Sequence, residues 1–281
     1  MKSVDPGTDF HSWRIVARQL LDEGVSPHEI LWEADVGLFS ASGVEATKSP
    51  AAQKVIKVSK EFYELAQNAA CHRHPSRWAL LYQILWRMTH GGERHLLSIA
   101  SDSDVARARM LEKNVRREIH KMHAFVRFKL VDTHEASGRE RYVAWFEPEH
   151  FIVEAGTPFF RKRFANMDWS IFTPKGCAHW DGEELTLTPG IAQNPVENPD
   201  ALEAAWRTYY RSIFNPARLK VKAMQAEMPQ RYWKNLPEAD LIEELITTSK
   251  QRTVEMLETE LRPVKPQPKN AYLERLRETK D

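Results

Sequence analysis

The chain has 281 residues, 42% of them hydrophobic and 28% charged, so it can bury one large core or two small ones. Its 40 Lys and Arg nearly cancel its 39 Asp and Glu, which excludes a protein that binds polyanions through a generally basic surface. A nucleic-acid site in this chain is therefore expected to be a local basic patch.

Cysteine content and hydropathy bear on the compartment of the protein. Cys71 and Cys177 lie far apart in the sequence, and the polar start contains no apolar segment typical of an export signal. We therefore expect a cytoplasmic protein without a disulfide. Apolar runs such as Trp78–Trp86 are too short to span a bilayer, so no membrane contact is expected. Two cysteines are too few for an iron–sulfur cluster, and the sequence predicts no cofactor.

Helical periodicity begins close to the N terminus. Apolar residues at helical spacing predict a helix over Phe10–Leu21, and Gly24 follows as a stop. A short second helix is predicted to run through Ile30–Trp32. The segment Gly37–Pro50 is rich in Gly, Ser and Ala, which predicts a loop. Residues 1–48 are therefore interpreted as an N-terminal helical arm.

The predicted main domain, residues 49–262, starts with helices and continues with strands. Its helices are predicted over Ala51–Ala69, Ser76–Thr89 and Asp102–Met122. At His123 the apolar period changes to two, and strands are predicted over Ala124–Asp132, Arg139–Phe146, Asp168–Thr173, Cys177–Trp180 and Glu184–Thr188. A short basic helix, Pro158–Asn166, interrupts them. The glycine-containing connection between the first two strands predicts an antiparallel hairpin.

The C-terminal part is again predicted to be helical, from after Pro199 to about Leu261. Residues 263–281 start with a segment rich in proline and lysine, which predicts a flexible tail. The predicted fold is therefore α+β, with a helical N-terminal half, a small antiparallel sheet in the middle and a helical C-terminal part.

Basic residues recur every three or four positions along the helix predicted over Asp102–Met122. Such spacing predicts a cationic stripe on one side of the helix. The stripe continues into the next strand and could be joined by the basic helix that precedes Asn166. We interpret these residues as candidate nucleic-acid contacts: Arg109, Lys113, Arg116, Arg117, Lys121, Arg127, Arg161, Lys162 and Arg163. The alternative is a solvated helix face.

Aromatic and basic residues alternate densely over Trp206–Glu238. Aromatic rings stack on bases and cations contact phosphates, so this composition is typical of a nucleic-acid surface. The alternative is a helical pair whose aromatic residues form a core and whose cations are solvated. The candidate contacts in this segment are Tyr210, Arg218, Lys220, Lys222, Arg231, Tyr232, Trp233 and Lys234.

Four histidines lie next to other polar groups and are candidates for catalysis. His120 and His123 are three residues apart, His150 follows Glu149, and His179 is close to Asp181. Imidazoles with carboxylates suit acid–base chemistry. No HExxH or CxxC pattern is present, so we assign no metal ligand. A structural role is the alternative for each histidine.

Several strings resemble an uncharacterised bacterial family described as probable DNA-metabolism proteins or as a domain of unknown function. They are LLYQILWRMTHG (80–91), VRREIHKMHAFVRF (115–128), FEPEHFIVE (146–154), FTPKGCAHWDG (172–182), SIFNPARLK (212–220) and MPQRYWKNLPEADLI (228–242). The resemblance implies an association with DNA repair, because members are encoded beside a radical-SAM protein or fused to a uracil-DNA-glycosylase-like domain. It does not imply a reaction.

Three functional hypotheses follow from these patterns and from what the resemblance implies about partners. The first is a protein that recognises or positions DNA for a radical-SAM or glycosylase-like partner. The second is an enzyme acting on nucleic acid, which requires the histidines to converge in one pocket. The third is an adaptor whose aromatic and cationic residues bind a protein partner instead of DNA.

Overall fold

Helices flank a five-stranded sheet, so the fold is α+β, as the sequence predicts. The computed structural model describes residues 1–33, 57–133, 139–194, 224, 226–236, 239–249, 251, 253 and 254. The predicted boundary between residues 48 and 49 and the predicted tail 263–281 lie outside these residues. Within the described part, no helix is both long and apolar enough to cross a bilayer.

The N-terminal region combines one helix with a small parallel sheet. α1 spans Phe10–Asp22, close to its predicted bounds, and the Asp9 carboxylate caps its N terminus. Strands β1 (Lys2–Val4) and β2 (Ile30–Trp32) pair in parallel. The prediction of a helix through Ile30–Trp32 is therefore wrong. The helical turn covers only Pro27–Glu29, and the branched and aromatic residues after it suit an extended strand.

Three longer helices follow: α2 over Lys60–Ala70, α3 over Arg77–Thr89 and α4 over Ser103–Phe125. Ser59 caps α2 by accepting a hydrogen bond from the Phe62 N–H at 3.2 Å. Residues 57–59 were predicted to be helical, but they precede the helix. The first predicted turns of this helix, residues 51–56, lie outside the described residues. α4 continues three residues past its predicted end at Met122.

The five strands of the main sheet lie side by side in chain order: β3 (Lys129–Thr133), β4 (Glu140–Trp145), β5 (Asp168–Phe172), β6 (Cys177–Trp180) and β7 (Leu185–Thr188). β3 and β4 are antiparallel, which confirms the predicted hairpin, and β5, β6 and β7 are antiparallel as well. β4 and β5 are parallel, so the sheet is mostly antiparallel, whereas the prediction was an antiparallel sheet throughout. A parallel pair needs a crossover, and helix α5 (Val153–Arg163) supplies it.

α5 starts five residues earlier than predicted because its internal proline does not end the helix. Pro158 lacks the N–H that would bond the Glu154 carbonyl. The Thr157 hydroxyl donates a hydrogen bond to that carbonyl at 3.1 Å and replaces the missing donor. A proline in the middle of a helix is therefore tolerated here.

Helix α4 connects two hydrophobic cores. Its N-terminal half contributes Val105, Ala108 and Leu111 to a core formed with α1, α2 and α3. Its C-terminal half contributes Val115 and Met122 to a core formed with the sheet and α5. The described residues of the N-terminal arm pack into the first of these cores. α4 is therefore the element on which both halves of the described chain pack.

The described C-terminal residues form short helical pieces. A 3-10 helix covers Gln230–Asn235 and an α-helix covers Ala239–Thr247. Tyr232 of the first piece belongs to the second core. Most of the helical segment predicted between Pro199 and Leu261 lies outside the described residues.

The two methionines of α4 give a matched test of its packing. Met122 is fully buried, whereas Met110 is 53% exposed on the same helix. We expect Met122→Ala to lower the free energy of unfolding by about 2–5 kcal/mol, because truncation leaves a cavity in the second core. Met110→Ala should change it by less than about 0.5 kcal/mol. Urea unfolding of both variants measures the difference, and equal effects would contradict the assignment of the buried face.

Candidate nucleic-acid interface

A cationic groove runs along the exposed side of α4. It has a volume of about 420 Å³ and is lined by Lys113, Arg116, Arg117, His120 and Lys121, together with the acids Glu112 and Glu227. Residues three or four apart share one face of a helix, which explains why these five basic side chains gather there. The apolar positions between them face the cores. The structure therefore brings together most of the cations predicted on α4.

Positive charge exceeds negative charge in this groove. Arg116 lies 3.8 Å from Glu112 and stays largely exposed. The Lys121 ammonium lies 3.5 Å from the Ala226 carbonyl oxygen. Partial burial lowers the pKa of Lys121, and the nearby Arg117 and Arg231 lower it further. An anionic ligand in the groove would offset this repulsion between cations.

The other predicted cations lie outside the groove. Arg109 pairs with Glu61 at 2.6 Å, one turn before the groove begins. Arg127 donates a hydrogen bond to the Ala124 carbonyl at 2.7 Å. The exposed residues Arg161, Lys162 and Arg163 form the last turn of α5, and none pairs with another described residue.

A buried carboxylate lies on the inner side of the same helix. Glu118 is only 3% exposed. Its two oxygens accept hydrogen bonds from the backbone N–H groups of Glu149 and His150, both at 2.8 Å. Arg231 approaches one of these oxygens at 3.1 Å, and the Tyr232 hydroxyl approaches it at 3.3 Å. The carboxylate therefore joins α4 to the loop after β4 and to the C-terminal 3-10 helix.

The described part of the aromatic and cationic segment packs against the protein itself. Tyr232 is 1% exposed, and its ring stacks on Phe125 and Phe146, with centroids 5.5 and 5.2 Å apart. Arg231 pairs with Glu149 as well as with Glu118. This burial argues against stacking of a base on Tyr232, and it matches the alternative in which the aromatic residues form a core.

The remaining residues of that segment divide into two groups. The half-buried Trp233 donates its indole N–H to the Met228 carbonyl at 3.0 Å, and the exposed Lys234 pairs with Glu147. The candidate contacts Tyr210, Arg218, Lys220 and Lys222 lie outside the described residues.

The four candidate histidines have separate surroundings. His120 opens into the groove. His123 lies against α5, where its Nε2 is 2.9 Å from the Gly156 carbonyl oxygen. His179 lies in the sheet, with its two ring nitrogens 2.9 Å from the Ser170 and Thr188 hydroxyls. Burial lowers the pKa of both His123 and His179.

His150, the fourth candidate, is buried beside a histidine that sequence reasoning passed over. Its ring packs on that of His72, with centroids 4.2 Å apart, and its Nδ1 accepts a hydrogen bond from the Arg73 N–H at 3.3 Å. Burial, together with the nearby His150, His74 and arginines, lowers the pKa of His72 to about 4. Burial also lowers the pKa of His150. Two neutral imidazoles therefore pack between the loop after α2 and the loop after β4.

The four candidate histidines do not form the single pocket that the enzyme hypothesis requires, because they lie in four different surroundings. Across the described ranges, no group of three or more His, Cys, Asp or Glu side chains is placed to hold a metal ion.

Sequence reasoning missed Glu118 and His72, although one signal for Glu118 was present. Glu118 lies three residues after Val115 and four before Met122, so it occupies the apolar stripe of an amphipathic helix. An acid at such a position is buried and needs partners. No comparable pattern in the sequence marks His72, because its contact with His150 joins two distant loops.

Comparisons with known proteins give one match. The family model of the domain of unknown function DUF4130 matches residues 75–238, which is more than half of the chain. The matched region includes α4, its groove, Glu118 and the C-terminal 3-10 helix. No curated protein and no solved structure was found to match the chain.

Removing the buried carboxylate tests its structural role. We expect Glu118→Ala to lower the free energy of unfolding by about 3–5 kcal/mol, because two backbone N–H groups and Arg231 lose their acceptor. Glu183→Ala is the control, since Glu183 is exposed, and it should cost less than about 0.5 kcal/mol. Chemical denaturation measures both. Nearly equal values would show that Glu118 does not hold these segments together.

The buried His72 predicts a pH dependence of stability. The pKa of His72 is about 4 in the folded chain, against an ordinary value of 6.5. Between these values the unfolded chain binds more protons, so stability is present near pH 7 and is lost as the pH falls. We expect His72→Gln to flatten the stability profile between pH 7 and pH 4 by roughly 2–3 kcal/mol.

The matched control for this profile is His11→Gln, because His11 is exposed. Thermal unfolding at a series of pH values gives the profiles. A His72→Gln profile parallel to that of the wild type would show that the pKa of His72 is the same in the folded and the unfolded chain.

Proposed function

The chain belongs to the DUF4130 family, and we propose that it binds DNA through the groove on α4. The protein would act in a DNA repair or metabolism system in the cytoplasm. There it would hold DNA for a radical-SAM protein or a uracil-DNA-glycosylase-like protein that performs the chemistry. The gathering of five basic side chains in one groove is the observation that carries this proposal.

The dimensions of the groove suit a nucleic-acid backbone. Lys113 and Lys121 are eight residues apart, which corresponds to about 12 Å along a helix. Each DNA strand carries one phosphate per roughly 3.4 Å of helix axis, so the groove spans about three phosphates. Arginine is well suited to such contacts because its guanidinium group can hold a phosphate through two hydrogen bonds.

The residues that line the groove favour contacts with the DNA backbone over contacts with the bases. Phosphate contacts position a protein on DNA and carry no sequence information. The residues that line the groove are charged, apart from His120, and no Phe, Tyr or Trp is among them. The proposed binding is therefore independent of sequence and sensitive to salt.

The enzyme and the adaptor hypotheses have less support. The candidate histidines have separate partners, so an enzyme would need a site beyond those described. An adaptor would present an apolar patch, whereas the groove on α4 is cationic. Complex formation with a partner protein that resists nuclease treatment would favour the adaptor.

Charge reversal in the groove tests the proposal. We expect Arg116→Glu with Arg117→Glu to abolish DNA binding, because two phosphate contacts become repulsive. The milder pair Arg116→Gln and Arg117→Gln should reduce the slope of log affinity against log salt by about 2. Fluorescence anisotropy with labelled duplex and single-stranded DNA across a salt series measures both effects.

The control makes an equal change in net charge on another helix. Arg14 and Arg18 are exposed on α1, outside the groove, so Arg14→Glu with Arg18→Glu should leave most of the affinity in place. All variants should unfold close to the wild-type temperature. Equal losses from both pairs would mean that binding depends on net charge alone and would remove the groove from the footprint.

A further inference from the structure

A small aromatic surface lies one helical turn beyond the groove. Phe159 of α5 is 40% exposed, although the adjacent Phe160 is 1% exposed. The Phe159 ring stacks on His123, with centroids 4.2 Å apart and planes at 21°. Phe160 meets it edge to face at 5.3 Å. The face of Phe159 that points away from His123 is therefore the part that solvent reaches.

The position of this surface is fixed by α4. The His123 ring is held by the 2.9 Å contact of its Nε2 with the Gly156 carbonyl oxygen, and it stacks on one face of Phe159. His120, which lines the groove, precedes His123 by three residues on the same helix. Side chains at this spacing are neighbours on a helix surface. The groove and the aromatic surface are therefore contiguous.

Cations flank the aromatic surface on its other side. Lys162 and Arg163 follow Phe159 by three and four residues on α5, so they share its face of the helix. Both are exposed. A half-exposed ring between two groups of cations is the arrangement in which proteins stack an unpaired base while they hold the adjoining phosphates.

We infer that the groove and Phe159 together bind DNA at an unpaired nucleotide, with the phosphates along α4 and the base against Phe159. This inference rests on the proposed function, because it takes the groove as the backbone site. The substrate class is single-stranded DNA, or a duplex in which one nucleotide is unstacked. A continuous duplex uses the groove alone, because its bases are not accessible to Phe159.

The test compares one variant on three DNA substrates. Phe159→Leu keeps an apolar side chain and removes the ring. We expect it to weaken binding of a single strand, and of a duplex with one unpaired nucleotide, by roughly tenfold, as expected for the loss of one stacked base. Binding of the continuous duplex should stay unchanged. A 2-aminopurine at the unpaired position should be quenched by the wild type and not by Phe159→Leu.

Two further variants keep the test decisive. Phe151→Leu removes another part-exposed ring, on the loop after β4, and should leave the affinity for all three substrates unchanged. Phe159→Trp offers a larger ring and should preserve or increase the preference for an unpaired nucleotide, even if the leucine variant is less stable.

The outcomes separate this inference from the proposed function. If the Arg116 and Arg117 variant loses binding while Phe159→Leu binds all three substrates like the wild type, the aromatic surface has no role and the groove remains. If the groove variant binds normally, both the proposed function and this inference are wrong. An equal loss on all three substrates from Phe159→Leu would also overturn the stacking of a single base.

Discussion

The carboxylate of Glu118 is the interaction on which the arrangement of the described chain depends. It receives two backbone N–H groups from the loop after β4 and the side chains of Arg231 and Tyr232 from the C-terminal 3-10 helix. A buried charge is tolerated only where hydrogen bonds replace its hydration. Because all these donors reach one side chain, two distant parts of the chain take fixed positions against α4.

The two sides of α4 carry different tasks, and the helical period keeps them apart. Val115, Glu118 and Met122 face inward, whereas Arg116, Arg117 and His120 face outward. Inward residues determine where the sheet and the C-terminal segment pack. Outward residues determine what the groove can bind. Effects on stability and effects on the proposed DNA binding are therefore separable by mutation within a single helix.

The elements that the sequence predicts well are those with a strong local signal. α1, α3, α4 and the strands β4 to β7 lie near their predicted bounds because periodicity and capping residues act locally. Ile30–Trp32 was predicted wrongly because its partner strand, Lys2–Val4, is remote in sequence. The early start of α5 depends on a threonine that replaces the bond lost at Pro158.

The candidate site was predictable to a similar extent. The regular spacing of basic residues on α4 predicts the groove, because a helix places such residues on one side. Spacing does not show that Arg109 pairs with Glu61, since that contact joins two helices. The composition of the segment predicts that Arg231 and Tyr232 are exposed nucleic-acid contacts. In the structure both contact Glu118, which lies more than one hundred residues away in the sequence. Contacts of this range are set by the tertiary fold alone.

The long separation between Glu118 and Arg231 has a consequence for the order of folding. The two residues are 113 positions apart, and closing a loop of that length costs entropy before any contact compensates for it. The two backbone N–H donors, Glu149 and His150, are only 31 and 32 positions from Glu118, so their contacts close shorter loops. We therefore expect residues 230–235 to dock last, onto a surface that is already assembled. In a chain still emerging from the ribosome, the side of the Glu118 carboxylate that contacts Arg231 and Tyr232 would be open to water until residues 230–235 dock.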